Sequence, residues 1–221
     1  MTITDTTIKN IKPYNHKQLL YVQSKVSDNT LRQVKEEAKY ILENESEFKK
    51  NNTNLAGNIE KEYITEKSKA ILKDDLISLA NEHHKQTKRN EDYPHWNLTS
   101  MWINFQKKHE HNPLHHHSGN LSFVMWVQIP YDLQEELKLS NCKNSNAPTN
   151  SLFSFVYTNV FGEVICNLVR VDKSYEGIII MFNSNLKHMV HPFHTSDDYR
   201  ISISGNLTAG PPPKTNMFSY K

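Results

Sequence analysis

Cysteine is nearly missing from this chain: 221 residues hold two, Cys142 and Cys166. A disulfide framework is thereby excluded as the source of stability, and a reducing compartment such as the cytoplasm is expected. Long apolar runs are missing as well. The longest, Gly177-Ile178-Ile179-Ile180-Met181-Phe182, falls far short of the ~20 residues a helical membrane span needs, and the N-terminus does not read as a signal peptide. Nor is there an excess of one charge, since 26 Lys and Arg against 24 Asp and Glu leave +2. With no basic block or aromatic-interleaved basic stripe, neither a membrane nor a nucleic acid is expected as partner. Hydrophobic residues make up 37% and mean hydropathy is −0.69, which implies one well-packed region beside a polar, helix-rich remainder.

What is present has a clear order. Residues 1–15 have no period and read as an extended lead-in. Leu31, Val34, Ala38, Ile41 and Leu42 recur at helical spacing behind the capping oxygens of Ser27 to Thr30, predicting a helix that ends near Lys49. A second helix starts near Thr65, with Ala70, Leu72, Leu76, Leu79 and Ala80 along one stripe; its polar tail runs to about Asn90. Between them, Leu55 to Tyr63 looks too specific for a plain linker. After Tyr93-Pro94 the period shortens to two. Strands are predicted over 96–105, 121–129, 151–157, 160–171, 177–182, 186–191 and 199–207, with a helical turn at 132–139 and a polar loop at 141–150. Pro211-Pro212-Pro213 cannot continue a central strand. Seven or eight short strands behind two helices suggest a sandwich or jelly roll. No internal repeat is visible.

The chemistry gathers in two islands, Asn112-Pro113-Leu114-His115-His116-His117-Ser118-Gly119 and His188-Met189-Val190-His191-Pro192, the second followed by Arg200-Ile201-Ser202. In an extended segment residues i and i+2 point the same way, so His115 and His117 can reach one ion while His116 faces elsewhere. A third ligand must come from another strand, and His188 is the candidate. Arg200 and Ser202 share a strand face. An inward guanidinium is expected to pair with an anion, and the neighbouring hydroxyl could add a hydrogen bond to a carboxylate. Strand parity puts Ser122, Val124 and Trp126 on one face and Trp102 and Asn104 on another. Trp126 is a candidate wall of a ligand pocket, although an ordinary core role suits it too, and Asn104 is a candidate ligand contact.

At these residues the chain resembles the Fe(II)- and 2-oxoglutarate-dependent dioxygenases, in particular a phage subgroup related to prolyl hydroxylases. The likeness runs through Trp102-Ile103-Asn104-Phe105-Gln106, the His115 island, Leu121-Ser122-Phe123-Val124, Phe182-Asn183-Ser184-Asn185-Leu186-Lys187-His188 and Arg200-Ile201-Ser202-Ile203-Ser204, with Leu55 to Tyr63 as an upstream element. It implies a double-stranded β-helix (jelly roll), mainly β with N-terminal helices. It also implies Fe(II), 2-oxoglutarate and O2 as cofactor and co-substrates, and a hydroxylated C–H bond in a protein prolyl or other side chain or in a small molecule. His115, His117 and His188 would be the metal residues, and Arg200 the partner of the distal carboxylate of 2-oxoglutarate, helped by Ser202. Where the wider family has Asp or Glu two residues after the first histidine, this chain has His117. The exchange removes one negative charge from the metal shell and should raise the redox potential of the ferrous site. A phage-encoded protein would work in the host cytoplasm.

Residues 1–92 are thus expected to be a helical extension packed on the core, 93–209 the jelly roll, and 210–221 a tail. Two other readings stand beside the oxygenase. A cupin-type dioxygenase or isomerase also uses paired histidines, but usually with a Glu a few residues later, and none occurs here before Glu135. A non-catalytic zinc or carbohydrate-type module would need a closed metal site with a fourth protein ligand. Neither the substrate nor the oligomeric state is set by the sequence.

Overall fold

The structure, a computed structural model, describes residues 21–88 and 95–210. The lead-in over 1–15, the Tyr93-Pro94 break and the Pro211-Pro212-Pro213 tail of the sequence reading lie outside the described residues. In chain order the elements are β1 (Tyr21–Lys25), α1 (Asp28–Glu43), β2 (Lys61–Ile64), α2 (Lys67–Lys88), β3 (His95–Gln106), β4 (Asn112–His115), β5 (Leu121–Gln128), α3 (Leu133–Lys138), β6 (Phe153–Thr158), β7 (Val164–Val169), β8 (Ile178–Asn183), β9 (Lys187–Val190) and β10 (Arg200–Gly210).

Two antiparallel sheets face each other. The larger runs β1-β8-β5-β10-β3-β2 and the smaller β4-β9-β6-β7, the jelly roll the sequence suggests. The central strands of the large sheet are apolar on both faces because both are covered. Phe123, Met125 and Val127 of β5, Ile179 and Met181 of β8, and Ile201 and Ile203 of β10 pack with Val34, Ala38 and Ile41 of α1 and Leu72, Leu76 and Leu79 of α2. The alternate residues Val124, Trp126, Ile180 and Phe182 pack with Phe153 and Phe155 of the small sheet.

Local signals explain the two long helices. Ser27 caps α1, its hydroxyl accepting from the Thr30 amide at 3.1 Å, and α1 stops at Asn44, which leaves the helical region. At the start of α2 the buried Glu37 carboxylate accepts from the hydroxyls of Thr65 and Ser68. It thereby ties α1 to α2 where a helix start favours an anion. The N-terminal part is less purely helical than its sequence suggests. β1 pairs with β8 and β2 with β3, extending the large sheet at both edges. Strands of five and four residues carry no readable period, and their pairing with β8 and β3 defines them.

Candidate functional site

The small sheet brings the two histidine islands together. β4 lies antiparallel to β9 with His115 directly opposite His188, the ladder being irregular between Asn112 and His115. His117 follows β4, and its backbone N–H donates to the Ser184 carbonyl at 2.9 Å. Ser184, fully buried, also donates its hydroxyl to the Gly119 carbonyl at 2.6 Å. The turn before β9 thus clasps the loop that carries His117. Gly119 has φ +94°, and a Cβ there would stand 2.9 Å from the Leu207 carbonyl oxygen. Gly119→Ala is therefore expected to destabilise by about 1–2 kcal/mol, read as a thermal midpoint lower by a few degrees.

One ligating nitrogen from each of His115, His117 and His188 lies within 4.8 Å of the others, and the ring centroids are 4.3 to 5.0 Å apart. His116 is exposed and apart from them. Two tautomers are set by the backbone. The Nδ1 of His115 donates to the Pro113 carbonyl at 2.7 Å, and that of His188 to the Leu186 carbonyl at 2.9 Å, so each Nε2 keeps its lone pair. Burial, and then the neighbouring rings, lower the pKa of His117 to about 4 and that of His188 to about 3. At neutral pH these are unprotonated donors, as a bound metal requires. Among the described residues no fourth His, Cys, Asp or Glu joins the group. The donor set fits a transition metal with coordination positions left open to the cavity beside it.

That cavity lies between the sheets and contains about 610 Å³ of empty space, part of it open to solvent. One row of its wall crosses four strands in register: Glu62 of β2 opposite Asn104 of β3, Asn104 opposite Ser202 of β10, and Ser202 opposite Trp126 of β5. The parity reading thus brings Asn104, Ser202 and Trp126 to one wall. Trp126 is also a core residue, packed edge-on against Phe153 and Tyr175. Asn104 donates its amide to the Ser202 hydroxyl at 3.2 Å.

Arg200 lines the same cavity and is 2% exposed, and its protein partners are neutral oxygens. Its Nε and Nη2 donate to the Gln106 Oε1 at 3.1 and 2.8 Å, its Nη1 to the Tyr131 hydroxyl and the Ser151 carbonyl at 3.2 and 2.9 Å, and its Nη2 to the His191 carbonyl at 2.7 Å. Neutral oxygens thus take up all five N–H groups, and among the described residues no carboxylate pairs with the charge. That charge, after burial, helps to lower the pKa of His191. The loop that supplies the His191 carbonyl is pinned by Glu136, whose carboxylate accepts from the amides of His194 and Thr195. Sequence reasoning missed Gln106, Tyr131 and Ser151 as the cage of Arg200, and Glu62 as a wall residue. Gln106 stands at the end of a motif already singled out, and Glu62 lies in the segment too specific to be a linker. Tyr131 and Ser151 carried no local signal.

A jelly roll with a cluster of metal-ligating side chains and a buried arginine around one cavity suits a mononuclear iron oxygenase that uses an oxo acid, with His117 standing where the wider family has a carboxylate. Residues 100–206 match the family described as "Putative 2OG-Fe(II) oxygenase", and over this span the chain carries a domain of that family. It is a 2-oxoglutarate-dependent oxygenase, an oxidoreductase whose cofactor is Fe(II) and whose co-substrates are 2-oxoglutarate and O2. Among solved structures it is similar to a prolyl-4-hydroxylase of Pseudomonas putida, at 13% identity and a TM-score of 0.51 over 86% of this chain and 92% of that one. A prolyl hydroxylase of Trichoplax adhaerens, solved with a hypoxia inducible factor peptide, gives 11% and 0.51 over 85% and 81%. SnoN, an α-ketoglutarate-dependent epimerase of nogalamycin biosynthesis, gives 10% and 0.52 over 86% and 78%. These likenesses establish the fold. A comparison with curated protein sequences found no match, and no described helix is long and apolar enough to cross a membrane.

Proposed function

We propose that this protein hydroxylates a C–H bond of a protein side chain or small molecule, with His115, His117 and His188 holding the iron. Arg200 receives the distal carboxylate of 2-oxoglutarate, with Ser202 and Asn104 beside it and Trp126 as a wall. The observation that carries this reading is the convergence of three imidazole nitrogens within 4.8 Å on the wall of a partly closed cavity. Bound Fe(II) would supply the oxidation itself, in which 2-oxoglutarate and O2 yield succinate, CO2 and a hydroxylated product. The chain's own part is geometry and dryness. His115 and His188 keep their Nδ1 hydrogens on backbone carbonyls, so their metal-facing nitrogens stay aimed and basic. The charge of Arg200 attracts a dianion, and Gln106 is the side chain able to turn away and release two N–H groups to a carboxylate. Val124, Trp126, Phe153 and Phe182 line the cavity and keep water from the reacting centre.

Anaerobic binding of Fe(II) and 2-oxoglutarate, followed by oxygen exposure and succinate measurement against a peptide panel, tests the reading. Prolyl peptides come first because two structural neighbours are prolyl hydroxylases. Succinate should form only when both Fe(II) and 2-oxoglutarate are present. A protein that holds Zn(II) yet forms no succinate with Fe(II) would be a binding module instead. His117→Asp restores the carboxylate of the wider family and is expected to retain or strengthen iron binding, while His117→Ala weakens it. An iron titration unchanged by both would remove His117 from the metal shell.

A further inference from the structure

The cavity wall holds more unused hydrogen-bond acceptors than its metal and co-substrate explain. Asn104 is 3% exposed, and its Oδ1 has no partner. The orientation of its amide is set, since Nδ2 points to the Ser202 carbonyl at 3.5 Å and the Ser202 hydroxyl at 3.2 Å, and a carbonyl only accepts. Opposite it across the β2–β3 ladder stands Glu62, 1% exposed. Its one hydrogen bond, from the Asn52 amide at 3.4 Å to Oε2, is long, and Oε1 has none. Asn112 Oδ1, also buried and unpartnered, completes the set. A Cβ on residue 57 would stand 2.4 Å from Asn112 Oδ1 and 2.8 Å from Glu62 Oε1, so Gly57 lets the loop 55–57 close over both oxygens without filling the space between them.

2-Oxoglutarate cannot satisfy these groups. It offers only acceptors, so it would leave Asn104 Oδ1 and Asn112 Oδ1 unpaired. We propose that Glu62, Asn104 and Asn112 form the substrate subsite of this oxygenase, and that it takes a cationic nitrogen, the ammonium or guanidinium of a basic side chain or amine, next to the C–H bond presented to the metal. The inference rests on the oxygenase reading above and narrows its substrate class. A prolyl nitrogen within a peptide has neither charge nor N–H and would leave the three oxygens unsatisfied. Burial, with a smaller contribution from Glu110, raises the pKa of Glu62 to about 8, so the empty subsite is neutral at pH 7. An arriving cation would ionise it and expel a proton.

The test is calorimetric, on the full chain with metal and 2-oxoglutarate bound and oxygen excluded. The probes are N-acetyl-arginine methylamide and N-acetyl-lysine methylamide, against the neutral N-acetyl-citrulline and N-acetyl-proline methylamides. The basic probes should bind at least about tenfold more tightly, with release of about one proton at pH 7, read from buffers of different ionisation enthalpy. Glu62→Gln should lose both the preference and the proton release while melting no lower than the wild type, because it removes a carboxyl that ionises only in the unfolded chain. Asn104→Ala should weaken the basic probes and keep the proton release. Equal binding of the arginine and citrulline probes, no binding of any probe, or a Glu62→Gln variant that keeps the preference would overturn the inference. Succinate formation on the same preparations separates the two readings. Succinate without basic preference leaves the oxygenase and removes the subsite, while basic preference with no succinate does the reverse.

Discussion

His188→Ala is expected to lower Fe(II) affinity by roughly 100-fold or more, since loss of groups that merely orient a ligand already costs ~10–100-fold. Succinate formation should vanish with it, while far-UV circular dichroism stays that of a folded β protein. Iron titration under argon measures the first effect. The same variant should also change the acid response of the metal-free protein. His188 is 3% exposed, and its pKa falls from 6.5 to about 3 on folding. The folded state therefore refuses a proton that the unfolded chain accepts. Stability is complete above pH 6.5 and is lost as pH drops towards 3, at about 1.4 kcal/mol per pH unit from this ring. His117, lowered to about 4, adds a slope of the same sign. Denaturant titrations of the apo protein between pH 7 and 4 should be shallower in pH for His188→Ala than for the wild type. Equal slopes would mean that His188 does not resist protonation as its burial requires.

Arg200→Ala is expected to act on both the co-substrate and the fold. Loss of the only cation assigned to 2-oxoglutarate should reduce its affinity by about two orders of magnitude, in line with ~2–5 kcal/mol for truncating a buried charged partner. Metal affinity in the absence of 2-oxoglutarate should change little. The fold should also lose about 2–4 kcal/mol, because Gln106 Oε1 and the His191 carbonyl lose their donor and the Ser151 carbonyl keeps only the Tyr131 hydroxyl. In a domain of this size that corresponds to a thermal midpoint lower by roughly 5–15 °C. The sequence alone justified only the first effect. Arg200→Lys tests both together: it keeps the charge but cannot reach all four acceptors, so it should recover part of the 2-oxoglutarate affinity while remaining destabilised. An Arg200→Ala protein with wild-type affinity for 2-oxoglutarate would remove the assigned role and leave the arginine as a structural clamp.

The Glu62 subsite adds a cost of opposite sign in pH. A carboxyl raised from 4.5 to about 8 contributes stability that is complete below pH 4.5 and lost as pH rises towards 8. The folded protein therefore pays for an acid in the cavity where the histidines gain from neutrality.

The sequence by itself determined the elements whose signal is local. The stripes of α1 and α2, the alternation within β3 and β10, the short β-forming apolar runs of β5 and β8, and the parity that joins His115 to His117 and Arg200 to Ser202 all follow from neighbours a few residues apart. Tertiary structure decided what depends on pairing between distant strands. That His115 faces His188 is a matter of register between β4 and β9. That Arg200 sits among neutral acceptors depends on loops arriving from Ser151 and His191. β1, β2 and β4 are too short to carry a period and become strands only through β8, β3 and β9. For the same reason Glu62, in a segment the sequence marks only as too specific for a linker, gains a place at the site when β2 pairs with β3 and turns it, opposite Asn104, into the cavity.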